Sequence, residues 1–297
     1  LGNPNKFIEG LVQHFSRLRD ENITPQAYIN WAKKNDQKNK KASDEEKIES
    51  EKYLELAKCY EVYQNLKIKS SILDFADLIY YTLQLLQKRK NILATLQKQY
   101  THVLVDEFQD TNIAQYELIK LICPPKSKPN LTVIGDDNQS IYKFRGAAVS
   151  NILQFVDEYK GSKSIVLTEN FRSNQQILDT AYKLIKHNDP DTLEAKLKIN
   201  KNLISMGEKP KDKRVQLYIS DNVEREADYV VSMIEKYKSK FQFSDFAILV
   251  RANKHADPFV NAFSYAGIPY QFLGPSVLFK QPEVKELIAN LYLINDK

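Results

Sequence analysis

The sequence predicts an α/β fold: parallel sheets flanked by helices, behind a mainly helical N-terminal portion. Three observations carry that prediction. Short apolar runs occur at Val103-Leu104-Val105, at Leu131-Thr132-Val133-Ile134 and at Ile165-Val166-Leu167-Thr168, each ending abruptly in polar residues. A parallel strand covered on both faces delivers polar side chains to the edge of a sheet in this way. Helix-period patterns separate the runs, and alternation of this type builds parallel sheets. Before the first run the apolar spacing is helical throughout.

Taken in order, Phe7, Leu11, Phe15 and Leu18 recur at helical spacing. Thr24-Pro25-Gln26 opens a second helix, with Thr24 as cap and Pro25 in the first turn, and Tyr28, Trp31 and Ala32 share one face. The stretch 33–52 contains Lys33, Lys34, Lys38, Lys40 and Lys41; it reads as a solvated face, with a phosphate-contacting patch as the sharper alternative. Tyr53, Leu56, Tyr60, Tyr63 and Leu66 mark another amphipathic helix, with its rings assigned to the core. Asp74 caps the helix that runs on through Leu86. Helix signals follow at 115–122 and 148–159, and Pro124, Pro125 and Pro129 mark the loop between them. After the third apolar run come a helix over 174–186 and a polar, Lys-rich connector over 188–213. A strand over 215–219 and a helix over 224–236 follow, the latter with Ala227, Val230, Val231 and Ile234 on one face. A buried strand over 246–250 ends in Arg251, and a helix over 259–266 is closed by Gly267 and Pro269. A short strand over 270–273 and a helix over 284–293 complete the pattern, with Tyr265, Tyr270 and Phe272 assigned to the core.

The 297 residues suffice for two domains with sizeable cores. Lys+Arg 43 against Asp+Glu 38 gives a net charge of +5, which permits a nucleic-acid partner without demanding one. Two cysteines, Cys59 and Cys123, make no disulfide framework and suit a reducing cytoplasm. Four scattered histidines form no metal-ligand spacing, and no apolar run reaches membrane-spanning length.

The chemistry lies at the three strand ends. Val105 is followed by Asp106 and Glu107; in an α/β nucleotide site the first acid can hold Mg²⁺ and the second can activate water. The second run leads into Gly135-Asp136-Asp137-Asn138-Gln139-Ser140-Ile141-Tyr142-Lys143-Phe144-Arg145-Gly146. Interleaved aromatics and cations there suit bases and phosphates better than a core. The third leads into Glu169-Asn170-Phe171-Arg172-Ser173. Two adjacent acids after a strand can also be plain helix capping, but three such ends together argue for a site. No Gly-x-x-x-x-Gly-Lys-[Ser/Thr] string occurs, so these carboxylates read as one half of a nucleotide site without its phosphate-cradling half.

The string Asp106-Glu107-Phe108-Gln109-Asp110-Thr111 resembles motif II of the superfamily 1A DNA helicases, the UvrD/PcrA/Rep group; the strings from Gly135 and from Leu167 resemble motifs III and IV. Their order and spacing agree with that family, as do Asp74 to Leu78, Glu226-Ala227, Leu249-Val250-Arg251-Ala252-Asn253 and Gly267-Ile268-Pro269-Tyr270. The resemblance implies RecA-like folding in three parts: 1–72 as part of a helical 1B subdomain, 73–163 as the second half of domain 1A, and 164–297 as the first part of domain 2A. It implies ATP as substrate with Mg²⁺ held by Asp106, Glu107 as base, Gln139 as γ-phosphate sensor, Arg172 as arginine finger and Phe171 (usually Tyr) stacked on adenine. Tyr142, Phe144 (commonly Trp), Arg145, Arg251 and Asn253 match positions that touch single-stranded DNA. For Arg251, pairing with a surface acid is an equal alternative. The implied activity is ATP-dependent 3′ to 5′ movement on single-stranded DNA and unwinding at single/double-strand junctions, with the Walker A loop and motifs V and VI absent from these residues. The expectation is a fragment of a longer helicase, inactive by itself. The alternatives are a non-hydrolysing DNA-binding module of helicase ancestry and the motor part of a helicase-nuclease.

Overall fold

The computed structural model of the chain describes residues 7–38, 43–127, 129–140, 150–207, 215–273 and 282–295. They belong to two compact units, Leu1–Lys213 and Arg214–Lys297.

The first unit begins with five helices: α1 (Ile8–Asp20), α2 (Pro25–Lys38), α3 (Asp44–Lys69), α4 (Phe75–Lys88) and α5 (Lys90–Gln99). Their starts follow local chemistry. The Thr24 hydroxyl accepts the Ala27 N–H at 3.1 Å. Ser43 with Glu46 and Asp74 with Asp77 form reciprocal capping boxes that satisfy otherwise orphaned N–H groups. Phe15 and Leu18 pack with Tyr28, Ala32, Ala57 and Tyr60 into one buried cluster. Trp31, expected on the same face as Tyr28 and Ala32, is half exposed and stacks on Tyr28 at 5.8 Å.

Beside this oily cluster lies an ionic one. Arg19 and Asp77 are almost fully buried, with Arg19 Nε 3.3 Å from Asp77 Oδ1. Lys67 Nζ reaches Asp77 Oδ2 at 2.6 Å and Asp74 Oδ2 at 2.7 Å. Arg19 also donates to Gln64 Oε1 at 2.7 Å, and its guanidinium lies 3.7 Å from the Tyr80 ring centroid. Two buried cations are thus balanced by buried Asp77 and by Asp74 at the edge of the cluster, the condition under which buried charge is tolerated.

Strand β1 (Val103–Val105) pairs in parallel with β2 (Leu131–Val133), Val103 opposite Leu131 and Val105 opposite Val133. Between them run α6 (Ile113–Ile122), capped by Asn112, and a Pro-marked loop; α7 (Ser150–Glu158) follows. Phe108, Tyr116, Phe155 and Tyr159 form the core under this sheet, with Val105 and Val133 packed against it. The strand expected to be covered on both faces is covered on one. Val105 packs against the core residues of α6 and α7 and Val103 is half-buried, whereas Leu104 is 71% exposed, as the two-residue period of a strand requires.

A second parallel pair joins β3 (Glu169–Asn170) to β4 (Ile204–Ser205) around α8 (Gln175–Ile185) and the short α9 (Leu193–Leu197). The expected strand over 165–168 enters this ladder only at its last residue, whose carbonyl accepts the Ile204 N–H at 2.7 Å. The polar stretch read as a connector over 188–213 supplies α9, capped by Thr192, and the strand that completes the pair.

In the second unit α10 (Val223–Tyr237) packs against α11 (Asp257–Ala266) through Ile234, Phe263 and Ile268. Gly267 closes α11 at φ +65°, the left-handed position in which glycine carries no Cβ penalty. Helix α12 (Pro282–Asn295) ends the described chain. The segments 215–219, 246–250 and 270–273, expected as strands, form no ladder among the described residues; Leu217 and Leu249 are exposed. An apolar run favours extended backbone but does not supply the neighbouring strand that makes a ladder. Tyr265, expected in the core, is 94% exposed, because it lies two positions from buried Phe263 and on the opposite side of α11. Tyr270 and Phe272 are also exposed rather than core. Among the described residues no helix is long and apolar enough to cross a membrane.

Candidate functional site

The site is built where β1 and β2 end. Asp106 and Glu107 follow β1 directly and both are exposed. The Asp106 carboxylate accepts the Glu107 N–H at 2.9 Å, a local turn that places Glu107 in the left-handed region at φ 49°, ψ 42°. For a residue with a Cβ this conformation costs about 1–3 kcal/mol, and such strain concentrates at working sites. A single 3₁₀ turn, Phe108–Asp110, follows and drives Phe108 into the core. Its Phe108 N–H donates to the Ile134 carbonyl at 2.9 Å, tying the two strand ends together.

Gln109 forms the bridge across them. Its side chain is buried, donates from Nε2 to Glu107 Oε2 at 2.6 Å, and accepts the Asp136 N–H on Oε1 at 3.0 Å. This approach requires a glycine at 135, since a Cβ there would lie 2.9 Å from Gln109 Oε1 and 3.3 Å from its backbone nitrogen. Beyond it, Asp136 caps the turn Asp137–Gln139 and accepts Gln139 Nε2 on Oδ2 at 3.0 Å. Gln139 is itself exposed, and its amide has a second N–H to offer.

Two adjacent aspartates at one strand end call for a cation, and Lys201 supplies it. Its Nζ lies 2.6 Å from Asp136 Oδ1 and also pairs with Asp137 Oδ1. Burial alone would lift the Asp136 carboxyl, but hydrogen bonds from Lys201 and Gln139 outweigh it and hold the group below its usual range. Burial would likewise lower the Lys201 ammonium, and its two carboxylate partners raise it instead.

The third strand end is organised by Asn170, whose Oδ1 accepts the N–H groups of Arg172 at 3.0 Å and Ser173 at 2.7 Å. The Phe171 ring is 74% exposed and the Arg172 side chain is exposed, with no ion-pair partner among the described residues. Direct contacts therefore join Asp106, Glu107 and Gln139 into one network, while Phe171 and Arg172 stand on the adjoining β3–β4 segment of the same unit. Arg251 and Asn253 are exposed in the second unit, Asn253 opening a 3₁₀ turn. Tyr142, Phe144 and Arg145 lie outside the described residues.

Sequence reasoning did not single out Gln109, Gly135, Asn170 or Lys201. The first three stand inside the quoted motif strings, where hydrogen-bonding and close-packing roles need a backbone to be visible. The signal for Lys201 was the doubled aspartate, but nothing local says which of 43 cations answers it.

Asp106 offers a hard carboxylate oxygen of the kind Mg²⁺ takes when phosphates and water complete its shell. Among the described residues no group of three or more His, Cys, Asp or Glu is placed to hold a metal without such help. The exposed Asp106 carboxylate can supply one ligand of such a shell.

Comparison with known proteins follows the same lines. The family model of the UvrD/REP helicase N-terminal domain matches residues 5–160, and that of the UvrD-like helicase C-terminal domain matches residues 165–297. The ATP-dependent DNA helicase Rep of Escherichia coli (strain K12) is 33% identical over 293 residues, covering 98% of this chain and 41% of that protein. The ATP-dependent DNA helicase PcrA of Staphylococcus epidermidis (strain ATCC 12228) is 37% identical over 240 residues, covering 80% and 31% respectively. PcrA of Bacillus subtilis (strain 168) is 34% identical over 239 residues, again covering 80% and 31%. The chain thus spans less than half the length of these relatives. With the strand-end carboxylates, the glutamine turn and both family models in agreement, this chain belongs to the UvrD-like family of superfamily 1A helicases.

Proposed function

We propose that this chain is part of an ATP-driven DNA motor that moves 3′ to 5′ along single-stranded DNA and opens duplex at single/double-strand junctions. The observation that carries the reading is the linked pair of strand ends, Glu107–Gln109–Asp136–Gln139, with an exposed carboxylate at Asp106. The names of the relatives, ATP-dependent DNA helicases, support it. In this reading residues 1–72 are part of the 1B subdomain, 73–163 the second half of 1A, and 164–297 the first part of 2A.

Mg·ATP is the substrate, and Asp106 holds its cation. Glu107, turned outward by its left-handed backbone and steadied by Gln109, accepts the proton of the attacking water. Gln139 keeps one N–H on Asp136 and offers the other to the γ-phosphate. Arg172 stabilises the charge that builds there, and exposed Phe171 stacks on the adenine. Tyr142 and Phe144 stack on DNA bases, while Arg145, Arg251 and Asn253 take the strand's polar groups.

In the complete protein, Glu107→Gln keeps the hydrogen bond from Gln109 but cannot take a proton. Turnover should fall about 10²–10⁴-fold with ATP affinity nearly unchanged. Arg172→Ala should cost about 10³–10⁵-fold. Steady-state phosphate release with single-stranded DNA measures both, and near-normal rates in either variant would remove that residue from the mechanism.

A further inference from the structure

The ion triad behind the glutamine turn does more than neutralise two acids. Lys201 is 15% exposed and Asp137 5%, so both are largely desolvated, while Asp136 at 36% faces the site. A buried ion pair stabilises a fold poorly compared with apolar packing, so its presence points to placement rather than strength. Its connections give that placement an object. On one side Asp136 holds Gln139 through Oδ2, and its N–H holds Gln109, which holds Glu107. On the other side Lys201 lies just before β4, which pairs with β3, the strand that leads directly into Phe171 and Arg172. The Lys201 N–H donates to Glu194 Oε1 at 3.2 Å, Glu194 pairs with Lys186 at 3.1 Å, and Asp137 Oδ2 accepts the first N–H of α9, that of Leu193, at 2.7 Å. The whole segment 169–205 is therefore fastened to the glutamine turn at one ammonium group and one helix start.

We propose that Lys201 is a positioning residue that sets Gln139 and, through Asp136 and Gln109, Glu107 in register with the β3–β4 segment carrying Arg172. Its mechanistic meaning rests on the reading of Gln139 as γ-phosphate sensor. Movement of β3–β4 would shift Lys201, and Asp136 would follow, turning the amide of Gln139. The charged groups facing Asp136 are Lys201 and Asp137; Glu194 and Lys186 stand behind Lys201, and Glu107 lies beyond Gln109.

The test is nuclear magnetic resonance of the full 297-residue chain with labelled glutamine, the Gln139 and Gln109 side-chain amides being assigned by their loss in Gln139→Ala and Gln109→Ala. In Lys201→Met the Gln139 amide should move to the position of a solvent-exposed glutamine and the Gln109 amide should shift with it. Lys201→Arg should restore both. Removing the ammonium should also raise the midpoint at which Gln139 responds to acid by about 1–3 pH units. Lowered thermal stability in Lys201→Met with both amides unmoved would mean a merely structural lysine and would overturn the proposal. Should Lys201→Met not fold, the native chain decides. The Gln139 amide and the Lys201 ε-methylene must follow one shared acid midpoint, and midpoints more than about half a unit apart would overturn the coupling. The sensor reading is measured separately, by ATP turnover of Gln139→Ala in the complete protein. Unchanged turnover there would reject Gln139 as sensor while leaving the Lys201 link as the amides report it.

Discussion

Single residues in this site do work that their chemical type alone would not reveal. Gln109 could be any surface amide; buried between Glu107 and Asp136 it fixes the direction of a carboxylate and the position of a turn at once. That double role makes Gly135 intolerant. Gly135→Ala would drive a Cβ to 2.9 Å from Gln109 Oε1, and the amide cannot retreat without releasing Glu107. We expect a loss of about 1–3 kcal/mol, read from urea unfolding, together with a displaced Gln109 amide resonance; an unchanged resonance would show that the bridge is dispensable. Asp77 presents the same logic in the helical portion. It balances Arg19 and Lys67 in the interior, so Asp77→Asn leaves net positive charge buried. The expected cost is about 3–5 kcal/mol, and a urea midpoint close to that of the native chain would contradict the assignment of this cluster as a charge-balanced core.

Between elements, the joint of α1 and α6 carries a pH signature. Asp20, the last residue of α1, accepts the side-chain N–H of Asn112, the cap of α6, at 2.8 Å. Burial, with Asp74 and Glu21 nearby adding repulsion, pushes its carboxyl up to about 6 from 3.8. A carboxyl raised on folding binds its proton more tightly in the native state. Its stabilising contribution is complete below pH 3.8 and is lost as pH rises through about 6. Asp20→Asn can still accept from Asn112 but has no proton to lose. Its melting temperature should exceed that of the native chain above pH 6 and converge with it toward pH 4; a pH-independent difference would count against Asp20 as the titrating group. Elements of this kind were unevenly legible in the sequence. Helix starts at Pro25 and Phe75 and the stop at Gly267 could be read, because caps, prolines and left-handed glycines act within one turn of chain. So could the polar ends of β1 and β2. Strand partners could not: Ile204 and Ser205 sit in a lysine-rich stretch with no strand signal and pair only because β3 offers an edge. Nor could the Arg19–Asp77 cluster, whose members are distant in sequence and carry no local signal that pairs them.

At the scale of the whole molecule the question is what a chain with these carboxylates can do alone. In the proposed reading the first unit supplies a cation-holding acid (Asp106), a base (Glu107) and a γ-phosphate-sensing amide (Gln139), but phosphate charge is ordinarily taken up by a glycine-rich loop of backbone N–H groups, and no Gly-x-x-x-x-Gly-Lys-[Ser/Thr] string occurs in the sequence. The helix starts next to the site do not replace it. Those of α6 and α8 each give one N–H to a capping side chain, Gln115 N–H to Asn112 and Ile177 N–H to Asn174, and α9 gives its first N–H to Asp137. The 297 residues by themselves should therefore release phosphate from Mg·ATP, with saturating single-stranded DNA, no faster than their own Glu107→Gln variant. That variant is the right reference because it keeps the Gln109 bond and the local fold while removing only the proton acceptor, so contaminating hydrolases appear equally in both. A reproducible excess in the native chain, abolished by Glu107→Gln and stimulated by DNA, would mean that the two strand ends and Arg172 suffice for turnover, and the dependence on a separate phosphate cradle would have to be abandoned.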